Sequence, residues 1–198
     1  MTSGAHPIPV VAPPVWENIP QDMATRQQWL LWRFESPKAG AVKPAKMPYY
    51  VSGGRRSGGQ GEERDRQRLA TLAVARRAYE RGGWSGVGFG FLPDDGLIGI
   101  DIDGAIDPAT GVATERCANI IKACASYTEL SPSGKGVHII CLGTTVVNKS
   151  NDIGLEIFSG KQYFTFTGSL FPGTEPALTA LDEGVLRRLH ATVDEAKE

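Results

Sequence analysis

The stretch GLIGIDIDGAIDPATG, residues 96–111, sets two aspartates one residue apart inside an apolar run. Strand alternation puts Ile98, Ile100 and Ile102 on one face and Gly99, Asp101 and Asp103 on the other. A lone charge in such surroundings costs several kcal/mol. Two carboxylates at i and i+2 on a strand lie about 7 Å apart at Cα, and they repel unless a cation sits between them. Hard divalent ions such as Mg²⁺ or Mn²⁺ favour carboxylate oxygens and keep positions open for phosphate. Gly99 leaves space beside the pair, and Gly104 ends the strand flexibly. Taken alone, a solvated acidic pair at a strand end is the plainer reading.

Outward from this strand the chain alternates short apolar runs with turn residues. GVGFGFLP and GLIGIDID flank the tight-turn sequence DDG and are expected to form an antiparallel hairpin. Thr114 is a plausible N-cap for a helix whose inner face carries Cys117, Ala118, Ile121, Cys124 and Ala125. YTELSPSGKGVHIICLG reads as strand, glycine loop, strand. GLEIFSGKQYFTFTG reads as a second hairpin turning at Ser159, Gly160 and Lys161. Upstream, WLLWRFE is a strand with Trp29, Leu31 and Arg33 on one face and Leu30, Trp32 and Phe34 on the other. A long Gly-, Pro- and Lys-rich connection follows, with a short hairpin around residues 47–51. A helix is expected over about 64–81, with Leu69, Leu72, Ala73 and Tyr79 as its apolar stripe and Gly82-Gly83 as its stop. A last helix starts near Asp182, with Val185, Leu186, Leu189 and Val193 spaced for packing. The sum is an α+β domain built on antiparallel hairpins with flanking helices.

Length and composition bound this reading. The 198 residues suit one domain of moderate size, and 41% hydrophobic content is enough for a core. Residues 1–15, rich in proline and small side chains, form an expected flexible arm, 16–180 the domain and 181–198 the closing helix. The charged ending VDEAKE suits a domain that continues into a further region or a minimal one standing alone. A net charge of −1 leaves any anionic partner to local patches, such as the eight arginines against four acids between Arg55 and Arg81. Cys117, Cys124 and Cys141 include no C-x-x-C pair, so they read as core residues of a reduced, cytoplasmic protein rather than zinc ligands. No run approaches the roughly 20 apolar residues of a membrane span.

Two further features bear on the aspartates. Glu156 sits between Leu155 and Ile157 as a third carboxylate in an apolar strand. The three acids together suit a two-metal site with ions about 3.5–4 Å apart. SPSGKGVHII offers Ser133, Lys135 and loop N–H groups to phosphate oxygens, with His138 on the strand that follows. An ordinary β-turn before a partly buried histidine is the alternative. SPSGKG is not a P-loop, because it lacks the hydroxyl residue after the lysine and precedes a strand. GVGFGF lacks the full dinucleotide pattern.

Taken in order, GIDIDGA, SPSGKGVHI and GLEIFSGKQYFTFTG resemble the three motifs of the archaeo-eukaryotic primase superfamily. They look most like the primase-polymerase (Prim-Pol) domains of phage and plasmid replication proteins. In that family the motifs are acid-x-acid, Ser-x-His and an acid on a strand. Here Gly136 stands at the strict Ser-x-His spacing from His138, and Ser133 lies further off. QQWLLWRFE, AKMPYY and GVGFGF look like the family's lead-in segments, so the resemblance covers roughly residues 16–173.

The resemblance implies template-directed nucleotidyl transfer by a DNA primase or polymerase. Asp101, Asp103 and Glu156 would hold two Mg²⁺ or Mn²⁺ ions, with His138 completing the catalytic set. Ser133, Lys135, His138 and Lys161 would meet the nucleotide's phosphates. Arg33, Lys43, Lys46, Arg55 and Arg56 are candidates for DNA or nucleotide phosphates, each with a solvated surface charge as its alternative. Trp29, Trp32, Tyr49 and Tyr50 are candidates to stack on bases, with a place in the core as the plainer reading for Trp29 and Trp32. Implied partners are a single-stranded DNA template, an NTP or dNTP, and a helicase domain or protein. Two other readings stay open. One is a non-catalytic module binding single-stranded nucleic acid. The other is a phosphatase of the haloacid dehalogenase type, whose opening DIDGA resembles.

Overall fold

Strand β4 (Leu97–Ile102) forms where the isoleucines alternate, and it lies at the centre of a five-stranded sheet. The computed structural model describes residues 9–36 and 44–198. On either side of β4 run β6 (Val137–Leu142) and β8 (Leu155–Phe158), with β5 (Tyr127–Leu130) and β7 (Asn148–Ser150) at the edges. The order is β5-β6-β4-β8-β7 and every pairing is antiparallel. Ile98, Ile100 and Ile102 are buried with Val137, Ile139, Leu155 and Ile157, and α4 (Glu115–Cys124) and α5 (Glu183–Glu195) add their apolar stripes to this core. Each such side chain contributes about 1.5–3 kcal/mol, which fixes which face of β4 turns inward. Thr114 caps α4 as the sequence predicts, and α5 starts just after Asp182, which caps it. Thr114 Oγ1 accepts from the Cys117 N–H at 3.3 Å, and the Asp182 carboxylate accepts from the Val185 N–H at 3.0 Å. All three cysteines are buried and free.

A second sheet joins β1 (Trp29–Glu35), β2 (Ala45–Tyr49), β3 (Gly86–Gly90) and β9 (Tyr163–Phe166) in the antiparallel order β2-β1-β3-β9. Trp29, Leu31, Phe89, Phe164 and Phe166 share one cluster with Tyr127, Ile140 and Phe158 of the first sheet, so one aromatic core spans both. The short helix α1 (Gln21–Ala24) adds Met23, and α3 (Leu72–Glu80) adds Ala75 and Ala78. Trp29 and Trp32 are core residues, and so are Tyr49 and Tyr50, which are therefore not free platforms for bases. Residues 1–8 of the expected arm lie outside the described residues, as does Lys43. The arm's last residue is held, because the Val15 N–H donates to the Thr167 carbonyl at 2.8 Å. Among the described residues no helix is long and apolar enough to cross a membrane.

Three sequence expectations are corrected. First, GVGFGFLP and GLIGIDID do not pair with each other, since β3 and β4 belong to different sheets. The turn is present but serves as a corner. Asp95 accepts from the N–H groups of Leu92 at 2.8 Å and Leu97 at 2.9 Å, and from Gln28 Nε2 at 2.9 Å, holding the chain as it changes sheet. Second, β8 and β9 likewise separate at residues 159–162. That corner lies against the first one, because the Phe91 N–H donates to the Gln162 carbonyl at 2.9 Å. Third, the helix expected over 64–81 is two, α2 (Glu63–Arg66) and α3, with an extended break between them. Strand β2 ends opposite Leu31, which leaves the N–H and C=O of Trp29 open on that edge. Ala70 takes both, at 2.8 and 3.0 Å, and satisfying a buried strand edge outweighs continuing a surface helix.

Candidate active site

The register of the five-stranded sheet sets a row of side chains across it. Asp101 stands opposite His138 on one side and Glu156 on the other. His138 stands opposite Glu129, and Glu156 opposite Lys149. Cross-strand partners share a face, so all five lie on the side opposite the isoleucines. Asp103 continues the line two residues on, with its N–H donating to the Gly154 carbonyl at 2.8 Å. Gly99 is not the space for ions expected from the sequence. A Cβ there would lie 2.5 Å from the Phe158 ring, which fills that position.

Asp101 is the strained member. Its Oδ1 is buried and has no hydrogen-bond partner, and His138 Nε2 stands 3.9 Å away, beyond hydrogen-bond reach. Burial pushes the Asp101 carboxyl up from its ordinary range, and the charges of Asp103 and Glu156 push the same way. His138 and Lys46 pull it down. Among the described residues no three Asp, Glu, His or Cys side chains already close on a common point at ligand distance. Facing carboxylates with no counter-charge repel one another. An orphaned buried oxygen flanked by two more acids is nonetheless a donor set that fits a hard divalent cation.

The glycine loop comes close to these acids. Ser131 N–H donates to the Gly136 carbonyl at 2.9 Å, and Ser133 Oγ lies 3.1 Å from Ser131 Oγ and accepts from the Lys135 N–H at 3.3 Å. A Cβ on Gly136 would lie 2.5 Å from the Ile102 carbonyl oxygen and 3.3 Å from Asp103 Cα. Only glycine lets the loop lie this near the end of β4. Gly136→Ala is therefore expected to destabilise the protein by about 1–3 kcal/mol, the usual cost of overpacking. A parental urea midpoint in that variant would show that the contact is not a constraint.

Beside the loop opens a cleft of about 970 Å³, whose walls include Lys46, Asp103, Arg116, Ser133 and Lys135. Arg116, in the first turn of α4, also donates to the Ile153 carbonyl. Thus Asp101, Asp103, Glu156 and His138 share one face, and Ser133, Lys135 and Lys46 gather at its end. Lys161 does not join them. It has φ +53° in the corner beyond Phe158, which pairs with Gly99 at the end of β4 away from Asp103. Arg33 lies on the other face of its sheet from Lys46, over the Tyr49 ring at 4.5 Å. Arg55 pairs with Glu35 at 2.8 Å. Arg56 is buried against Asp65, with side chains 1% and 3% exposed, so it is a structural cation and not a DNA ligand. In the arginine-rich segment, Arg66 pairs with Asp94 at 2.6 Å and Arg68 lies over the Tyr50 ring at 3.8 Å.

Sequence reading missed Glu129, Lys149 and Arg116. Glu129 shares the alternation phase of buried Tyr127, which could have flagged it as inward-facing. Arg116 carries no sequence signal beyond a place in a first helical turn.

Fold and site together define an α+β domain whose central sheet bears an acid-and-histidine row beside a cleft lined by Lys46, Arg116 and Lys135 along with Asp103 and Asp152. No family model matches the chain. Over 165 residues, 80% of its length, it is 29% identical to the DNA primase-polymerase of Nitratiruptor phage NrS-1. The chain spans about 21% of that relative's own length.

Proposed function

We propose that this chain is a template-directed nucleotidyl-transfer domain, a DNA primase or polymerase module of phage or plasmid replication. The observation that carries the reading is Asp101 in register with both His138 and Glu156 while its Oδ1 lies buried and unpartnered. The motif resemblance, and the sequence similarity to a phage DNA primase-polymerase that spans it, support the reading.

In this reading Asp101, Asp103 and Glu156 would hold two Mg²⁺ or Mn²⁺ ions. When bound, such ions would supply acidity to an attacking 3′-hydroxyl and positive charge against the triphosphate and leaving pyrophosphate. Ser133 and the loop N–H groups orient phosphate oxygens, and Lys135 adds a point charge. Lys46 and Arg116 face the same cleft and balance the charge that builds during transfer. His138 turns Nε2 toward the acids, where it meets a phosphate from a fixed position. Template, nucleotide and a helicase partner follow from the same reading, in a cytoplasmic setting.

The test is incubation with labelled nucleotides on unprimed and on primed single-stranded DNA, with Mg²⁺ and Mn²⁺ tried separately. Metal-dependent incorporation on either template is expected. DNA binding without incorporation would assign a non-catalytic module instead, and turnover of a generic phosphate ester alone would assign a phosphatase.

A further inference from the structure

We propose that Glu129 is the positioning residue of His138, fixing which ring nitrogen faces the reacting phosphates. The inference rests on the nucleotidyl-transfer reading for its purpose, though not for its geometry. Glu129 has no exposed surface, an unusual place for a carboxylate. It is saturated with donors. Tyr127 Oη donates at 2.7 Å and the Gly168 N–H at 2.7 Å to Oε2, the Thr167 N–H is shared between Oε2 at 3.0 Å and Oε1 at 3.1 Å, and His138 Nδ1 stands 3.1 Å from Oε1. A carboxylate receiving such bonds only accepts, so Nδ1 is the nitrogen that carries hydrogen. Phe164 stacks on the imidazole from the other sheet, with centroids 4.3 Å apart and planes 7° apart. Hydrogen bond and stacked ring together leave the imidazole one orientation, with Nε2 toward Asp101.

A plain clasp between sheets is the competing role, since Thr167 and Gly168 follow β9. That role needs the bonds from Tyr127, Thr167 and Gly168 but not the imidazole, and the two roles separate in the histidine tautomer of Glu129→Gln. Tyr127 Oη and the Gly168 N–H donate to Oε2 alone and the Thr167 N–H reaches it too, so the amide keeps its oxygen there and gives up only the longer Thr167 branch to Oε1. Its NH₂ then replaces Oε1 and points at His138 Nδ1. The ring must now accept at Nδ1, and its hydrogen moves to Nε2.

The experiment uses the full chain labelled with ¹⁵N-histidine, with His138 assigned by comparison with His138→Gln. The parent is expected to show a protonated Nδ1 at neutral pH. Glu129→Gln is expected to show the opposite tautomer and to lose about 10–100-fold in kcat/KM for nucleotide, the usual effect of removing an outer partner of a site ligand. Glu129→Asp, which keeps an acceptor, is expected to retain the parental tautomer and recover part of the rate. An unprotonated Nδ1 in the parent would overturn the proposal, and so would a parental tautomer and rate in Glu129→Gln. If Glu129→Gln does not fold, the parental spectrum and Glu129→Asp decide. If the parent incorporates no nucleotide, the function falls while the spectrum still judges the placement of the ring.

Discussion

Asp101→Asn is expected to lose nucleotide incorporation by about 10²–10³-fold or more while the metal-free protein becomes more stable. The two effects have one origin. The Asp101 side chain is 27% exposed, and its Oδ1 is buried without a partner. Burial, then the charges of Asp103 and Glu156, raise its carboxyl above the ordinary 3.8, against the pull of His138 and Lys46. As pH rises the unfolded chain therefore ionises first. The advantage of the protonated folded form is complete below 3.8 and is lost as pH passes the raised folded value. At neutral pH the ionised side chain is a burden that asparagine removes, a gain on the order of 1 kcal/mol. A divalent ion reverses the balance, because it binds the folded acids and stabilises by mass action, about 2.7 kcal/mol at a hundredfold excess over Kd. Thermal scans with and without Mn²⁺ should show the parent gaining and the variant not. An active Asp101→Asn, or one less stable than the parent in chelator, would remove the metal-site reading.

The strand alternation of the site was legible because it is a local property. Asp101, His138 and Glu156 each sit out of phase with buried isoleucines or valines, and period-2 patterning assigns their faces without knowledge of partners. The loop before His138, the cap at Thr114 and the start of the last helix near Asp182 were legible for the same reason. What local pattern does not encode is which strand lies beside which. DDG and SGK mark reversals, and both reversals exist. Whether the chain returns along its own strand or turns a corner into another sheet depends on Asp95 finding Gln28, some 67 residues away in sequence. The broken helix is the same kind of case, since an open edge at Trp29 overrides an amphipathic stripe. Among the cations, Lys46 and Arg56 look alike in sequence. One faces the cleft and the other is buried, because Asp65 lies within reach of only one of them.

Asp65→Ala is expected to cost about 3–5 kcal/mol, the toll of leaving a buried charge unpaired and a large share of a domain's usual 5–15 kcal/mol. Arg56 grips Asp65 in two bonds, Nε to Oδ1 at 2.9 Å and Nη2 to Oδ2 at 2.7 Å. Tyr50 Oη donates to Oδ1 at 2.7 Å and the Gly61 N–H to Oδ2 at 2.8 Å. Burial alone would raise the Asp65 carboxyl, but the Arg56 guanidinium, the Gly61 N–H and the Tyr50 hydroxyl outweigh it and hold it at about 2. A lowered carboxyl contributes stability that is full above the unfolded value of 3.8 and lost as pH falls toward 2. Parent and Asp65→Asn should accordingly differ most at neutral pH and converge in acid, as read by urea midpoints across that window. The double change Arg56→Met with Asp65→Leu should recover most of the loss, because apolar pairs replace buried ion pairs at little cost. That refolded double variant also separates structure from DNA contact. A residue touching phosphate adds about one counterion to the salt dependence of binding, so replacing a purely structural Arg56 should leave the slope of log K against log salt at the parental value. A shallower slope would mean that the ion pair opens to the DNA backbone.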